Sequence, residues 1–411
     1  MRPEGATKAA DVPAAGRRGS VLIVAFNYLP ERIVGVLRPA RFARLLPRYG
    51  YDTAILTATP QPEDAPPNIR QIPYIRTFPE KVIRKLFLPG EESIPWAGGA
   101  ARMAAAMHRE TPFSAVFVTS PPWAVQRVGL YLKKKFGVPW VADFRDPMRG
   151  SSVRLDHAFP LHDGIFEPRV FRHADAVIAN TDAVEKLWRK RYPQWAEKFR
   201  TIWNGYDPDE DVGPEPLPPR PFRVLGHFGE VFAYRHPGVL LGSIARLIDR
   251  GLLDPATLRI RFYGGSDALG DPGIRRNLEA RGVIEPAPLP PFSEARREMA
   301  QSDYLLVIDF TTGAPGLQVP SKLYTYLRIG RPVLALTTPE SPVSRILRNS
   351  GVRHACVFPD APADRIDAEV LDFLRLPTDP VQPSSWFREN FDCTAQARTL
   401  AAIIDRIGRS R

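Results

Sequence analysis

Lys322 stands where helix electrostatics disfavours a lysine. The run Val319-Pro-Ser-Lys-Leu-Tyr-Thr-Tyr-Leu-Arg-Ile-Gly330 reads as a loop, a short helix with Ser321 as N-cap, and a glycine stop; a buried strand then opens at Pro332. A cation in the first turn opposes the helix dipole by about 0.3–1 kcal/mol, unless an anion such as a phosphate sits there and reverses the sign. The alternative is a lysine that snorkels to solvent. Gly226-His-Phe-Gly229 followed by Tyr234-Arg235 offers matching chemistry. Its glycines let backbone N–H groups approach a pyrophosphate, which Arg235 would neutralise. Gly264, in Tyr263-Gly-Gly265, either lets a nucleotide base rest on backbone or simply makes a turn. Asp143-Phe-Arg145-Asp146 places three charges at one strand end, and their desolvation cost puts them at the rim of a polar cleft. There Asp143, Arg145 and Asp146 are candidate catalytic groups, with Arg145 stabilising negative charge because it stays protonated. A structural reading has Asp143 pairing with Arg145 and Asp146 capping a turn. Gly35, in the loop Asn27–Val36, allows close backbone approach, and the loop leads into a helix whose first turn carries Arg38; Trp123 lies in the loop Ser120-Pro-Pro-Trp123 after another strand.

The elements that must carry these residues alternate. Apolar runs at Val21–Phe26, Thr53–Thr57, Ala115–Thr119, Trp140–Phe144 and Ala176–Asn180 read as strands. Helical stretches lie at Arg38–Tyr49, Ala124–Phe136 and Asp182–Arg191. The order restarts with strands at Arg223–His227, Arg259–Tyr263, Tyr304–Ile308 and Val333–Leu336, separated by helices at Gly238–Arg250, Ser293–Ala300 and Ser321–Ile329. Such alternation predicts an α/β protein of two doubly wound, Rossmann-like domains. The expected boundaries are a disordered tail over 1–19, a first domain over 20–206, a proline-rich linker over 207–221, a second domain over 222–384 and a C-terminal helix within 385–411. Asp207-Pro-Asp209 resembles a metal-binding Asp-x-Asp, but its place in the linker favours a solvated turn, and no metal site or cofactor is expected.

The 411 residues carry a formal charge of +11, which admits nucleic acid, anionic lipid or phosphorylated small molecules as partners. The basic residues are dispersed and lie in no nucleic-acid module, which argues against nucleic acid. Two cysteines, Cys356 and Cys393, without metal-ligand spacing fit a reducing cytoplasm. No segment approaches about eighteen uninterrupted apolar residues, so no transmembrane span is expected. Pro79–Phe87 sets Val82, Ile83, Leu86 and Phe87 against Lys81, Arg84 and Lys85, the pattern of a short amphipathic helix on an anionic membrane surface; nearby Trp96 fits that reading, and packing on the first domain explains the same residues.

The Lys-Leu-Tyr-x-Tyr-Leu run before Gly-Arg-Pro resembles the donor site of GT-B glycosyltransferases of family 4. Val138-Pro-Trp-Val-Ala-Asp-Phe-Arg-Asp-Pro147 and Ile202-Trp-Asn-Gly-Tyr-Asp207 are similar to segments of its polysaccharide-assembling members. The resemblance implies a GT-B fold with the last helix crossing back to the first domain. It further implies transfer of a sugar from a nucleotide diphosphate-sugar to a glycan or lipid-linked acceptor, with retention and without a metal. Gly35, Gly229, Arg235, Gly264, Lys322 and Thr325 then face the donor, with Arg38 and Trp123 on the acceptor side. Three departures stand out: Arg145 where relatives often carry a histidine, Glu230 where many carry an arginine, and Thr325 where they carry a glutamate that takes donor hydroxyls. They leave open a catalytically silent module that binds a partner or glycan.

Overall fold

The computed structural model describes residues 16–31, 33–74, 93–149, 160–210, 212–231, 235–264, 269–288, 290–309 and 316–409. Strands β1 (Gly19–Ala25), β2 (Tyr51–Thr57), β3 (Ile69–Gln71), β4 (Ala115–Ser120), β5 (Trp140–Phe144), β6 (Ala176–Ala179) and β7 (Phe199–Thr201) form a first sheet in the order β3-β2-β1-β4-β5-β6-β7. Its helices are α1 (Val34–Leu45), α2 (Ser93–Glu110), α3 (Gln126–Phe136), α4 (Pro160–His173) and α5 (Asp182–Arg191). The second sheet joins β8 (Arg223–Phe228), β9 (Leu258–Tyr263), β10 (Ile284–Ala287), β11 (Tyr304–Ile308), β12 (Val333–Leu336) and β13 (His354–Val357) in the order β10-β9-β8-β11-β12-β13. Helices α6 (Gly238–Asp249), α7 (Pro272–Ala280), α8 (Phe292–Ala300), α9 (Lys322–Ile329), α10 (Pro342–Ser350) and α11 (Ala363–Leu374) accompany it. Two further helices, α12 (Ser385–Phe391) and α13 (Cys393–Arg409), end the chain.

Every pairing between these strands is parallel. A parallel sheet needs crossovers that cover both faces, and the central strands are accordingly apolar throughout, as in Val-Leu-Ile-Val and Tyr-Leu-Leu-Val-Ile. Each sheet reverses its order once, between β1 and β4 and between β8 and β11. Crevices open at such switch points, beyond the carboxyl ends of the strands.

The last helix crosses back. Cys393, Ala397, Leu400, Ala401 and Ile404 repeat at helical spacing, and they bury against Phe42 and Leu45 of α1 and the β1 side of the first sheet. The linker is pinned rather than solvated. Arg44 pairs with both Asp207 and Asp209, Arg41 and Arg296 both pair with Glu210, and Arg328 donates to the carbonyls of Asp207 and Glu210. Asp207 and Asp209 also form an Asx turn, the amide of 209 donating to the carboxylate of 207 at 3.1 Å.

The expected tail stops short of residue 19, since Arg18 already donates its amide to Gly50 and its side chain to Asp405. Trp96 is not a membrane anchor: it is buried in the first-domain core, edge-on to Phe26, with its indole donating to the Ile72 carbonyl. Lys81, Arg84 and Lys85 lie outside the described residues. Among the described residues no helix is long and apolar enough to cross a membrane.

Candidate active site

The second-sheet switch point brings Gly229, at the end of β8, beside Lys322, which follows the loop after β11. Gly229 adopts φ +118°, and a Cβ added there would stand 2.8 Å from the Lys322 ammonium. The lysine therefore lies across bare backbone instead of snorkelling to solvent. Gly264 is stacked on the same spot, its absent Cβ 3.2 Å from the Gly229 carbonyl carbon. Ser321 is only partly the cap expected of it. Its backbone is already helical and its hydroxyl makes no capping bond, so its side chain leaves the first-turn amides alone.

His227 completes this centre. The ring is fully buried, and Nδ1 lies 3.0 Å from the Leu306 carbonyl, which places the proton on Nδ1. Nε2 is then an acceptor, 3.3 Å from the Lys322 ammonium. Burial and the neighbouring Lys322 charge hold the imidazole well below its ordinary pKa, so it is neutral. Burial, with the Arg235 charge, brings the Lys322 ammonium down to about 7. No carboxylate among the described residues offsets the Lys322 charge through an ion pair. A dianion would. Thr325 lies one turn after Lys322 on the same, half-exposed side of α9.

The first-domain residues are arranged differently from the expectation that they line a rim. Asp143 is fully buried and pairs with Arg38, not with Arg145; the Arg38 Nη2 to Asp143 Oδ1 distance is 2.7 Å, and Thr119 donates to the other oxygen at 2.7 Å. Arg38 spends its remaining donors on the carbonyls of Ile202 and Trp203, tying α1 to the chain leaving the first domain. It is a joint, not an acceptor contact. Trp123 is likewise buried, with its indole donating to the Asp146 carbonyl at 3.1 Å. Arg145 clamps two loops to its own, donating to the carbonyls of Gly35, Pro121 and Ser120. The need for glycine at 35 follows from that clamp, because a Cβ would sit 2.3 Å from an Arg145 nitrogen.

Asp146 alone of these charges reaches across to the second domain, where Gln318 donates to it. Burial raises its carboxyl to about 6 despite the adjacent Arg145 and the Gln318 bond. Thr181 donates to the Leu317 carbonyl at 2.7 Å and Arg345 pairs with Asp182, so the strip just before Lys322 is anchored to the first domain. Asp146 is thereby tied to the segment that leads into Lys322.

Residues 40–210 match the model of Glycosyltransferase Family 4. No curated protein matches the sequence. Among solved structures, sucrose-phosphate synthase from Thermosynechococcus elongatus is similar over 96% of this chain and 98% of its own, at 13% identity and a TM-score of 0.61. The lipopolysaccharide outer core galactosyltransferase WaaB is similar over 94% of this chain and 99% of its own, at 12% identity and a TM-score of 0.61. Anabaena HepE in complex with UDP-glucose follows over 95% and 99%, at 14% and 0.53. This chain has the GT-B fold, and residues 40–210 are similar to Glycosyltransferase Family 4.

Of the residues the sequence marked, the structure brings together Gly229, Gly264, Arg235 and Lys322, with Thr325 one turn along α9 and Asp146 bonded to Gln318. It does not bring Arg38, Asp143 or Trp123 into the cleft, and it commits Arg145 and Gly35 to holding loops. His227 escaped the sequence reading. Its signal was present, since a histidine one residue from the end of a buried strand needs partners for both ring nitrogens.

Proposed function

We propose that this GT-B protein is a glycosyltransferase that moves a hexosyl-type sugar from a nucleotide diphosphate-sugar to a glycan or lipid-linked acceptor, without a metal and with retention of configuration. The observation that carries the reading is the Lys322 ammonium, held over the bare backbone of Gly229 with Arg235 as its cationic neighbour and a neutral histidine as its partner. This is a seat for a diphosphate: two cations supply the countercharge that a metal supplies in other sites, and the first turn of α9 adds the positive end of its dipole. HepE is described with UDP-glucose, which suits the same class of donor. Retention is the habit of the resembling family.

Asp146 is the titratable group placed to handle a proton. A carboxyl near 6 is ionised at neutral pH, yet basic enough to accept hydrogen from an acceptor hydroxyl. For the acceptor, a groove of about 580 Å³ between α3 and α4 supports an anionic, lipid-bearing molecule. It is lined by Arg127, Lys134, Lys135 and Arg169 around Leu130, Phe166 and the exposed Ile165. A cytoplasmic protein working against the inner membrane face fits this arrangement, and Lys81, Arg84 and Lys85 would add to it.

The test is calorimetric titration with UDP, GDP and ADP and their sugars. At least one should bind well below millimolar, and Lys322→Ala or Arg235→Ala should weaken it by roughly 1.5–3 kcal/mol, the scale of charge-assisted hydrogen bonds. Equal titration curves for wild type and both variants would remove the site.

A further inference from the structure

We infer that His227 is a positioning residue for the donor: it holds the Lys322 ammonium over Gly229 without neutralising it, so that the full charge is left for a phosphate. The inference rests on the donor site proposed above. An extended lysine carries considerable rotamer freedom that any ligand would otherwise have to freeze. The protein freezes it in advance with an acceptor on Nε2 at 3.3 Å and the contact with Gly229.

A carboxylate would hold the lysine more strongly. It would also compete with the ligand, because a carboxylate–ammonium pair must be broken or shared before a diphosphate can use the charge. A neutral imidazole avoids that competition, provided its acceptor nitrogen faces the lysine. The Leu306 carbonyl enforces this by accepting a hydrogen bond from Nδ1–H at 3.0 Å. Phe262 packs against the ring at a tilt with centroids 6.0 Å apart, and the charges acting on the ring are Lys322 and Arg235, both positive. Burial, together with those two cations, keeps the imidazole from protonating, so the acceptor persists across the neutral range.

Three substitutions separate positioning from neutralisation. His227→Gln keeps an acceptor of similar reach, His227→Phe keeps bulk and removes it, and His227→Glu strengthens the lysine contact while cancelling its charge. Two readouts are taken on each folded variant, with thermal melts confirming folding. One is the titration midpoint of the Lys322 amine, followed by mass spectrometry of its acylation rate against pH. The other is affinity for whichever nucleoside diphosphate of UDP, GDP and ADP binds wild type.

His227→Phe should lower the midpoint by about one pH unit, through loss of a bond to the charged form, and weaken nucleotide binding about tenfold. His227→Glu should raise the midpoint and yet weaken binding at least as much, an opposition that a merely structural role would not produce. His227→Gln should stay within a few-fold of wild type. If His227→Phe and His227→Glu leave the midpoint and affinity unchanged, or if His227→Glu binds more tightly, the inference is overturned. Wild type that binds no nucleotide would remove the donor reading instead, and the midpoint would then decide the role of His227 alone.

Discussion

Nε2 of His227 and the ammonium of Lys322 lie 3.3 Å apart, although 95 residues separate them in the chain. The pair forms because β8 and β11 are neighbours at the point where the second sheet reverses order. The loop after one strand and the helix after the other then share a crevice.

The depressed pKa of Lys322, near 7, makes donor binding pH-dependent. The sign follows from which form the ligand prefers. A bound diphosphate favours the charged amine and raises its pKa, so binding is strongest below about 7 and weakens as pH rises. The loss should approach tenfold per unit until the pKa of the bound form is reached. Isothermal titration between pH 6 and 9 in buffers of different ionisation enthalpy should show proton uptake above pH 7. Affinity flat across that range in wild type would exclude Lys322 as the ligand-binding amine.

Arg38 and Asp143 form a buried pair whose disruption should be felt in stability rather than in specificity. Arg38→Met leaves the fully buried Asp143 carboxylate with Thr119 as its remaining side-chain donor and removes two donors from the carbonyls of Ile202 and Trp203. A loss of about 3–5 kcal/mol is expected in urea unfolding. A change below about 1 kcal/mol would return Arg38 to the acceptor contact expected of it from sequence.

Asp146 should show opposed effects on stability and activity. Its carboxyl is raised to about 6, above the usual unfolded value of about 3.9, so the native state bears the cost of an ionised buried group above pH 6 and is relieved of it as pH falls from 6 toward 4. Asp146→Asn keeps an acceptor for Gln318 and should melt higher than wild type at pH 7–8, with the gain fading between pH 6 and 4. Sugar transfer should fall by at least about a hundredfold if the carboxylate takes the acceptor proton. Retained activity would assign Asp146 to bridging the domains through Gln318 alone.

Thr325 separates a working transferase from a silent relative. It stands beside Lys322 on α9 with a single hydroxyl, which can serve one donor oxygen and supplies no charge. In an active enzyme Thr325→Glu should be neutral or harmful, because the donor hydroxyls already have other partners. Millimolar or weaker binding of every donor by wild type, with a gain only in the glutamate variant, would favour the silent module.

The sequence by itself determined the strands and the two-domain pattern. Trp140–Phe144, Tyr304–Ile308 and Val333–Leu336 are apolar runs bounded by turn residues, and burial in a parallel sheet needs nothing more than that pattern. It marked Gly229 and Lys322 too, since a glycine beyond a strand and a lysine opening a helix are anomalies visible locally. The short edge strands β3, β7, β10 and β13 carry too few residues for a period to show, and the sequence pattern does not reveal them. Partnership was decided by the tertiary structure. Asp143 had Arg145 two residues away and took Arg38, 105 residues distant, because α1 lies over the end of β5 while the Arg145 guanidinium turns to three carbonyls. Side-chain chemistry is written residue by residue, whereas which charges meet depends on strand order, and strand order is settled by packing between segments that no local pattern connects.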